Sequence, residues 1–140
     1  MRPFEEVDHT ADLALLARGK DLPELILNAC RGVIHLISDT DGLAPDVWVE
    51  ISASSDEPER VLVRFVKQLL LEWEINEGLP VAVELSSSSG EGITGRVGFA
   101  HPNDDDIDRR IKGIPKAATY HDLATTQVGD HLEVTLVLDV

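Results

Sequence analysis

Three groups of residues in this 140-residue chain carry side chains able to do chemistry. The first is His9-Thr10-Ala11-Asp12, near the start. The second runs from Lys112 to Asp122 and includes Lys116, Tyr120 and His121, and the third is Asp139 with the carboxylate of Val140. Carboxylates are hard oxygen ligands, which favour Ca2+ or Mg2+ over the softer metals that cysteine sulfur selects. Three of them make an incomplete shell and leave positions for water or for a partner's groups. His9 and His121 add imidazoles that titrate near neutral pH. The sequence offers no nucleotide-binding loop and no nucleophile-base pair beside them.

The elements that must position these groups are read from hydrophobic spacing. From Val7 to Ala17 the residues alternate with a period of two, Val7, His9, Ala11, Leu13, Leu15 and Ala17 on one side and Asp8, Thr10, Asp12, Ala14 and Leu16 on the other. That is the pattern of a half-buried strand, and it points Asp12 away from the apolar side and away from His9. From His131 to Val140 the alternation returns, with Leu132, Val134, Leu136, Leu138 and Val140 apart from His131, Glu133 and Asp139. An Asp fits a pleated, half-buried surface poorly, and like charges placed opposite each other destabilise unless a cation lies between them. If the two strands neighbour each other, Asp12, Asp139 and the Val140 carboxylate gather at one candidate divalent-cation site. The competing reading is solvated edge acids.

Between these strands the spacing predicts a helix from an Asp21 cap to about Ser38-Asp39. Pro23 stands where no donor is needed and Glu24 completes a capping box. A strand follows over Asp46–Ala53, then a second helix starting at Asp56 and stopping at Asn76-Glu77-Gly78, with Gly78 as the left-handed cap. Leu79–Leu85 and Ile93–Ala100 read as a hairpin around the serine-rich run from Ser86 to Gly92. No Lys-Ser/Thr and no helix start follows that run, so a turn is favoured over a phosphate loop. Asp39-Thr40-Asp41-Gly42 lacks the closing Glu of a calcium loop and reads as a turn. His101–Arg110 is a polar connection with room for a short helix, and the segment Lys112–Leu123 is expected to lead into a further strand, since Pro115 biases its neighbour toward extended geometry.

Composition limits the function classes. Forty-three per cent hydrophobic and 27% charged residues describe a globular chain of one domain's length, 1–140, and no apolar run reaches membrane-spanning length. A soluble, cytoplasmic protein without membrane attachment is expected, and the single Cys30 reads as a small core residue compatible with a reducing compartment. A net charge of −14, from 26 acidic against 12 basic residues, opposes direct binding to nucleic acid. Any role at RNA is therefore expected to be indirect, through a protein partner.

His9-Thr10-Ala11-Asp12-Leu13, the segment Lys116-Ala117-Ala118-Thr119-Tyr120-His121 and an Asp at the penultimate position together resemble archease, the family of small activators of the tRNA-splicing RNA ligase. The order of strands and helices agrees across nearly the whole chain. The resemblance implies an α+β fold of the strand-helix-strand-strand type, a mixed β-sheet with two main helices packed on one face. It implies a divalent cation, usually calcium, held by Asp12, Asp139 and Val140. It implies a non-catalytic protein that promotes guanylylation and turnover of the ligase's catalytic subunit.

Two positions depart from the family pattern: Ile111-Lys112-Gly113-Ile114-Pro115 intervenes before Lys116, so either lysine could be the counterpart, and Gln68 replaces an acid in the second helix. His9, Lys112, Lys116 and His121 are the candidate partner contacts. Against them stand a core histidine at His9 and a solvated face for the cluster Arg109, Arg110, Lys112 and Lys116. Two other readings remain, a small metal-dependent hydrolase with His9 or His121 as base, and an acidic binding module without metal.

Overall fold

The computed structural model of the chain describes residues 2–7, 13–89, 92–113, 117–119 and 125–139. Strands β1 (Phe4–Val7) and β2 (Leu13–Gly19) open it as an antiparallel pair, Phe4 opposite Ala17 and Val7 opposite Ala14. This corrects the expectation of one continuous strand over 7–17. The chain reverses between Val7 and Leu13, because β1 can lay Phe4 against the protein only by folding back on β2. The alternation that set His9 opposite Asp12 therefore has no continuous strand to act along.

Helix α1 (Leu22–Ile37) starts as its spacing requires. Asp21 accepts from the Glu24 N–H at 2.9 Å, and Glu24 answers to the N–H of Lys20, one residue earlier than a standard capping box. Strand β3 (Val47–Ser54) leads into α2 (Pro58–Asn76), whose cap residue is Glu57 and not Asp56. Here Pro58 lies close behind the cap, and Ser55 Oγ accepts the Glu57 N–H at 3.2 Å. The helix ends on Glu77, which takes the left-handed conformation at φ 60° expected of Gly78. Gly78 is needed for a different reason: a Cβ there would stand 2.5 Å from the Ala100 carbonyl oxygen.

Strands β4 (Leu79–Ser89) and β5 (Gly92–Ala100) form the expected hairpin, but the serine run read as its turn is strand through Ser89, paired with Gly92–Thr94, and β4 is irregular at Pro80/Ala82 and Leu85/Ser87. Asn103 caps the short helix α3 (Asp104–Arg110) by accepting the Asp106 N–H at 2.9 Å. Strands β6 (Ala117–Thr119), β7 (Thr126–Val128) and β8 (His131–Asp139) complete the described chain.

The fold is α+β, and its sheet is divided. One sheet runs β1-β2-β8-β6 with β7 also on β8, the other β3-β5-β4, and every pairing between described strands is antiparallel where a single mixed sheet is expected. Because β2 occupies one edge of β8 from Leu132 to Leu138, β6 and β7 share the other. Helix α1 lies on β1, β2 and β8 and also touches β4, while α2 lies on β3 and β5 and touches β6. Each helix thus touches both sheets. Their apolar stripes meet the strands in one buried cluster that includes Leu15, Val33, Phe65, Phe99, Leu136 and Leu138. Each such side chain contributes about 1.5–3 kcal/mol when fully buried.

Candidate functional site

The register of the first sheet decides what can meet. Leu13, the first residue of β2, pairs with Leu138, and Ala117, the first residue of β6, pairs with Asp139, the last of β8. On the outer side of β2, Val7 at the end of β1 pairs with Ala14. Four strand ends therefore lie side by side at one end of this sheet, β2 to β6 spanning about 10 Å at the usual strand spacing. Each end is joined in the chain to part of a motif: Val7 precedes Asp8-His9, Leu13 follows Asp12, Ala117 follows Lys116, and Asp139 precedes Val140.

His9, Asp12, Lys116, His121 and Val140 themselves lie outside the described residues, and of Asp139 only the backbone is described. Thr119, which precedes Tyr120 and His121, pairs with Val137, two residues inward from that end. Among the described residues no group of three or more His, Cys, Asp or Glu side chains gathers as a metal would require.

The sequence-predicted basic cluster is partly dissolved. Arg109 and Arg110 both pair with Asp106, and Arg110 also donates to the carbonyls of Asp39 and Asp41 at 3.1 and 2.7 Å. Arg110 fastens α3 to the loop after α1, while Arg109 pairs within α3. Lys112 is exposed, its ammonium reaching the His35 carbonyl at 3.4 Å among the described residues, while its own N–H donates to the Ile37 carbonyl. No sequence motif marks that tie, because it depends on α3 folding back beside the end of α1.

Titratable networks occupy other places. On β2 and β8, five residues from the motif end, Arg18 holds Glu5 and Glu133, each at 3.0 Å, and His131 Nε2 lies 2.8 Å from the same Glu133 oxygen. Glu133 is kept below the usual carboxylate range by His131 first and then Arg18, and the Glu133 contact raises His131. His101, just past β5, donates its N–H to Asp46 at 2.8 Å, and its ring lies 2.6 Å from Asp46 and 2.9 Å from the Asn76 carbonyl. Asp46 and then that carbonyl raise His101, and His101 in turn lowers Asp46. Sequence reasoning missed this clasp because its partners are 55 and 25 residues away. Cys30 is buried, and desolvation pushes its thiol up to about 12, so it behaves as the core residue its context suggests.

Comparison with known proteins agrees with the resemblance in the motifs. The chain is 28% identical to the protein archease of Sulfolobus acidocaldarius over 144 residues and 30% identical to that of Saccharolobus solfataricus over 142, with the whole of each chain covered. Its fold matches the solution structure of Methanobacterium thermoautotrophicum protein 1598 with a TM-score of 0.80 at 20% identity, covering all of both chains. It also matches the crystal structure of a Thermotoga maritima archease, described as a possible chaperone, with a TM-score of 0.66 at 24% identity over 100% of this chain and 98% of that one. The model of the Archease protein family spans residues 4–140, and the chain belongs to that family.

Proposed function

We propose that this protein activates the tRNA-splicing RNA ligase, promoting guanylylation of its catalytic subunit and repeated turnover, without catalysing a reaction itself. The single observation that carries the site reading is the register Leu13 opposite Leu138, which leaves two acids, Asp12 and Asp139, each one peptide bond beyond the same paired couple. A divalent cation, Ca2+ by preference for hard oxygen ligands, would be held by Asp12, Asp139 and the Val140 carboxylate. When bound it supplies charge neutralisation and open coordination positions for oxygen atoms of a partner. His9, Lys112, Lys116 and His121 are proposed as partner contacts around it.

The protein's −14 charge supports action through the ligase and not on RNA directly, and a cytoplasmic location fits such a partner. In a purified ligation assay, Asp12→Ala or removal of Asp139 and Val140 should abolish the stimulation of multiple turnover. The metal reading has its own readout. Ca2+ at a hundredfold excess over its Kd should stabilise the wild type by about 2.7 kcal/mol and leave the variants unmoved. Full stimulation by either variant removes the site from the mechanism, and phosphoester turnover by the protein alone, lost on chelation, would replace the activator with a hydrolase.

A further inference from the structure

The two sheets leave a cleft between their outer strands. A cavity of about 630 Å³ runs from Phe4 on β1 across the last two turns of α1 to Val81–Glu84 on β4, with Lys112 on its rim. Its size is that of a small-ligand site, yet its wall is a strand edge. In the second sheet β4 pairs only with β5 among the described strands, so half of its backbone N–H and C=O groups face outward, a template for another strand. Phe4, Ile34 and Val83 give the cleft apolar surfaces for the side chains of such a strand.

Charge supplies the second observation. In a chain with more than twice as many acids as bases, most described arginines and lysines are engaged by acids, as Arg18, Lys20, Arg96, Arg109 and Arg110 are. Arg31 and Lys112, both exposed and both on this cleft, have no acid partner among the described residues. Glu84, the acid on the opposite wall, is neutralised by Arg96 at 2.9 Å. Asp39 and Asp41 stand beyond the end of α1, with the arginine beside them spending Nη1 on their backbone carbonyls. From Arg31 to Ile37 the helical rise covers roughly 9 Å, and the extended Ser38 carries the chain on to Asp39. Four extended residues, the length of the Val81–Glu84 wall, cover about 13 Å.

We propose that this cleft takes an extended segment of a partner protein, which adds as a strand to the outer edge of β4. The segment carries an acidic side chain toward Arg31 and Lys112 and a basic one toward Asp39 and Asp41. Main-chain hydrogen bonds to β4 give the affinity, and the two charge clusters fix the direction in which the segment lies. The inference does not rest on the metal reading, since the cleft uses neither Asp12 nor β8; it shares only Lys112 with the contacts proposed for the ligase.

The test uses the full isotope-labelled chain and capped hexapeptides of alternating Val and Thr, with Asp first and Lys last, followed by NMR. At millimolar peptide, amide shifts should appear at residues 34–38, 81–84 and 112. Methylating alternate peptide nitrogens on the paired edge should abolish the shifts, and the variant Arg31→Glu with Lys112→Glu, both exposed positions, should weaken binding about tenfold. Absence of shifts, or equal binding of both N-methylated registers, overturns strand addition. Shifts of the same residues with inorganic phosphate but not with peptide make the cleft a small-anion site. Concentration-dependent shifts without peptide make the occupant a second copy of this chain.

Discussion

Gly32→Ala sets two well-measured effects against each other. In an exposed helix the change gains about 1 kcal/mol of propensity. Here Gly32 faces β2, and an added Cβ would lie 2.5 and 2.7 Å from the two methyl carbons of Leu15 and 3.1 Å from its Cγ. Carbon atoms rest at roughly 3.5–4.0 Å, so the methyls must retreat by about 1 Å. Leu15 is 0% exposed and sits in the main cluster, which leaves it little room, and overpacking of this kind costs about 1–3 kcal/mol. The net expectation is a loss of about 1 kcal/mol, seen as a lower urea midpoint at unchanged slope. Leu15→Ala alone should cost about 2–5 kcal/mol. Combined with Gly32→Ala it should cost at least about 1 kcal/mol less than the sum, because the new methyl enters the space vacated. If Gly32→Ala instead stabilises the protein by its full propensity gain and shows no coupling to Leu15, the close seating of α1 on β2 is wrong. With it would go the account of what fixes the strand that begins just after Asp12.

The His101–Asp46 clasp predicts a pH window. The raised His101 contributes stability that is complete below its unfolded value near 6.5 and is lost as pH rises through the folded one, whereas the lowered Asp46 contributes above 3.8 and is lost as pH falls through its depressed value. Urea midpoints measured from pH 3 to 9 should therefore fall on both sides, and His101→Gln should flatten the alkaline limb, leaving the part due to His131. Glu77→Gly should raise stability by about 1 kcal/mol, since a non-glycine residue in the left-handed region costs roughly that much. An unchanged unfolding midpoint would show that Glu77 carries no such cost in the left-handed conformation.

Local chemistry was readable where it acts locally. Asp21, Pro23 and Glu24 signal the start of α1 within four residues, and the apolar alternation of β8 survives as buried Val134, Leu136 and Leu138. What failed depended on distant partners or on sharing one pattern between two elements. Residues 7–17 keep their period of two although β1 and β2 run in opposite directions, because alternation is blind to direction. The left-handed end of α2 fell on Glu77 because Gly78 is already committed to the close approach of Ala100. For the candidate site, the sequence showed the two acids at the far ends of the chain, and the pairing of Leu13 with Leu138 joins their neighbours. It did not show the cleft beside β4, although Pro80 inside that strand is the residue type confined to edges and bulges, and β4 pairs only with β5 among the described strands.

The place of β8 also governs how the fold is born. β8 is an interior strand of the first sheet, yet it comes after every other described strand, and its Glu133 meets Arg18 across 115 residues. During synthesis at ~5–20 residues per second, β2 waits roughly 6–23 s for the strand that covers its inner edge. Until then Leu13–Gly19 has only the four residues of β1 beside it, and an apolar strand edge is open to other chains. Contacts of such long range make for slow closure, so the first sheet should form last, with α1 and the β3-β5-β4 sheet already folded. The end of that sheet where the four strand ends lie side by side would then exist only in the finished molecule, and a nascent chain or one truncated before β8 would carry Asp12 without the strand that ends at Asp139.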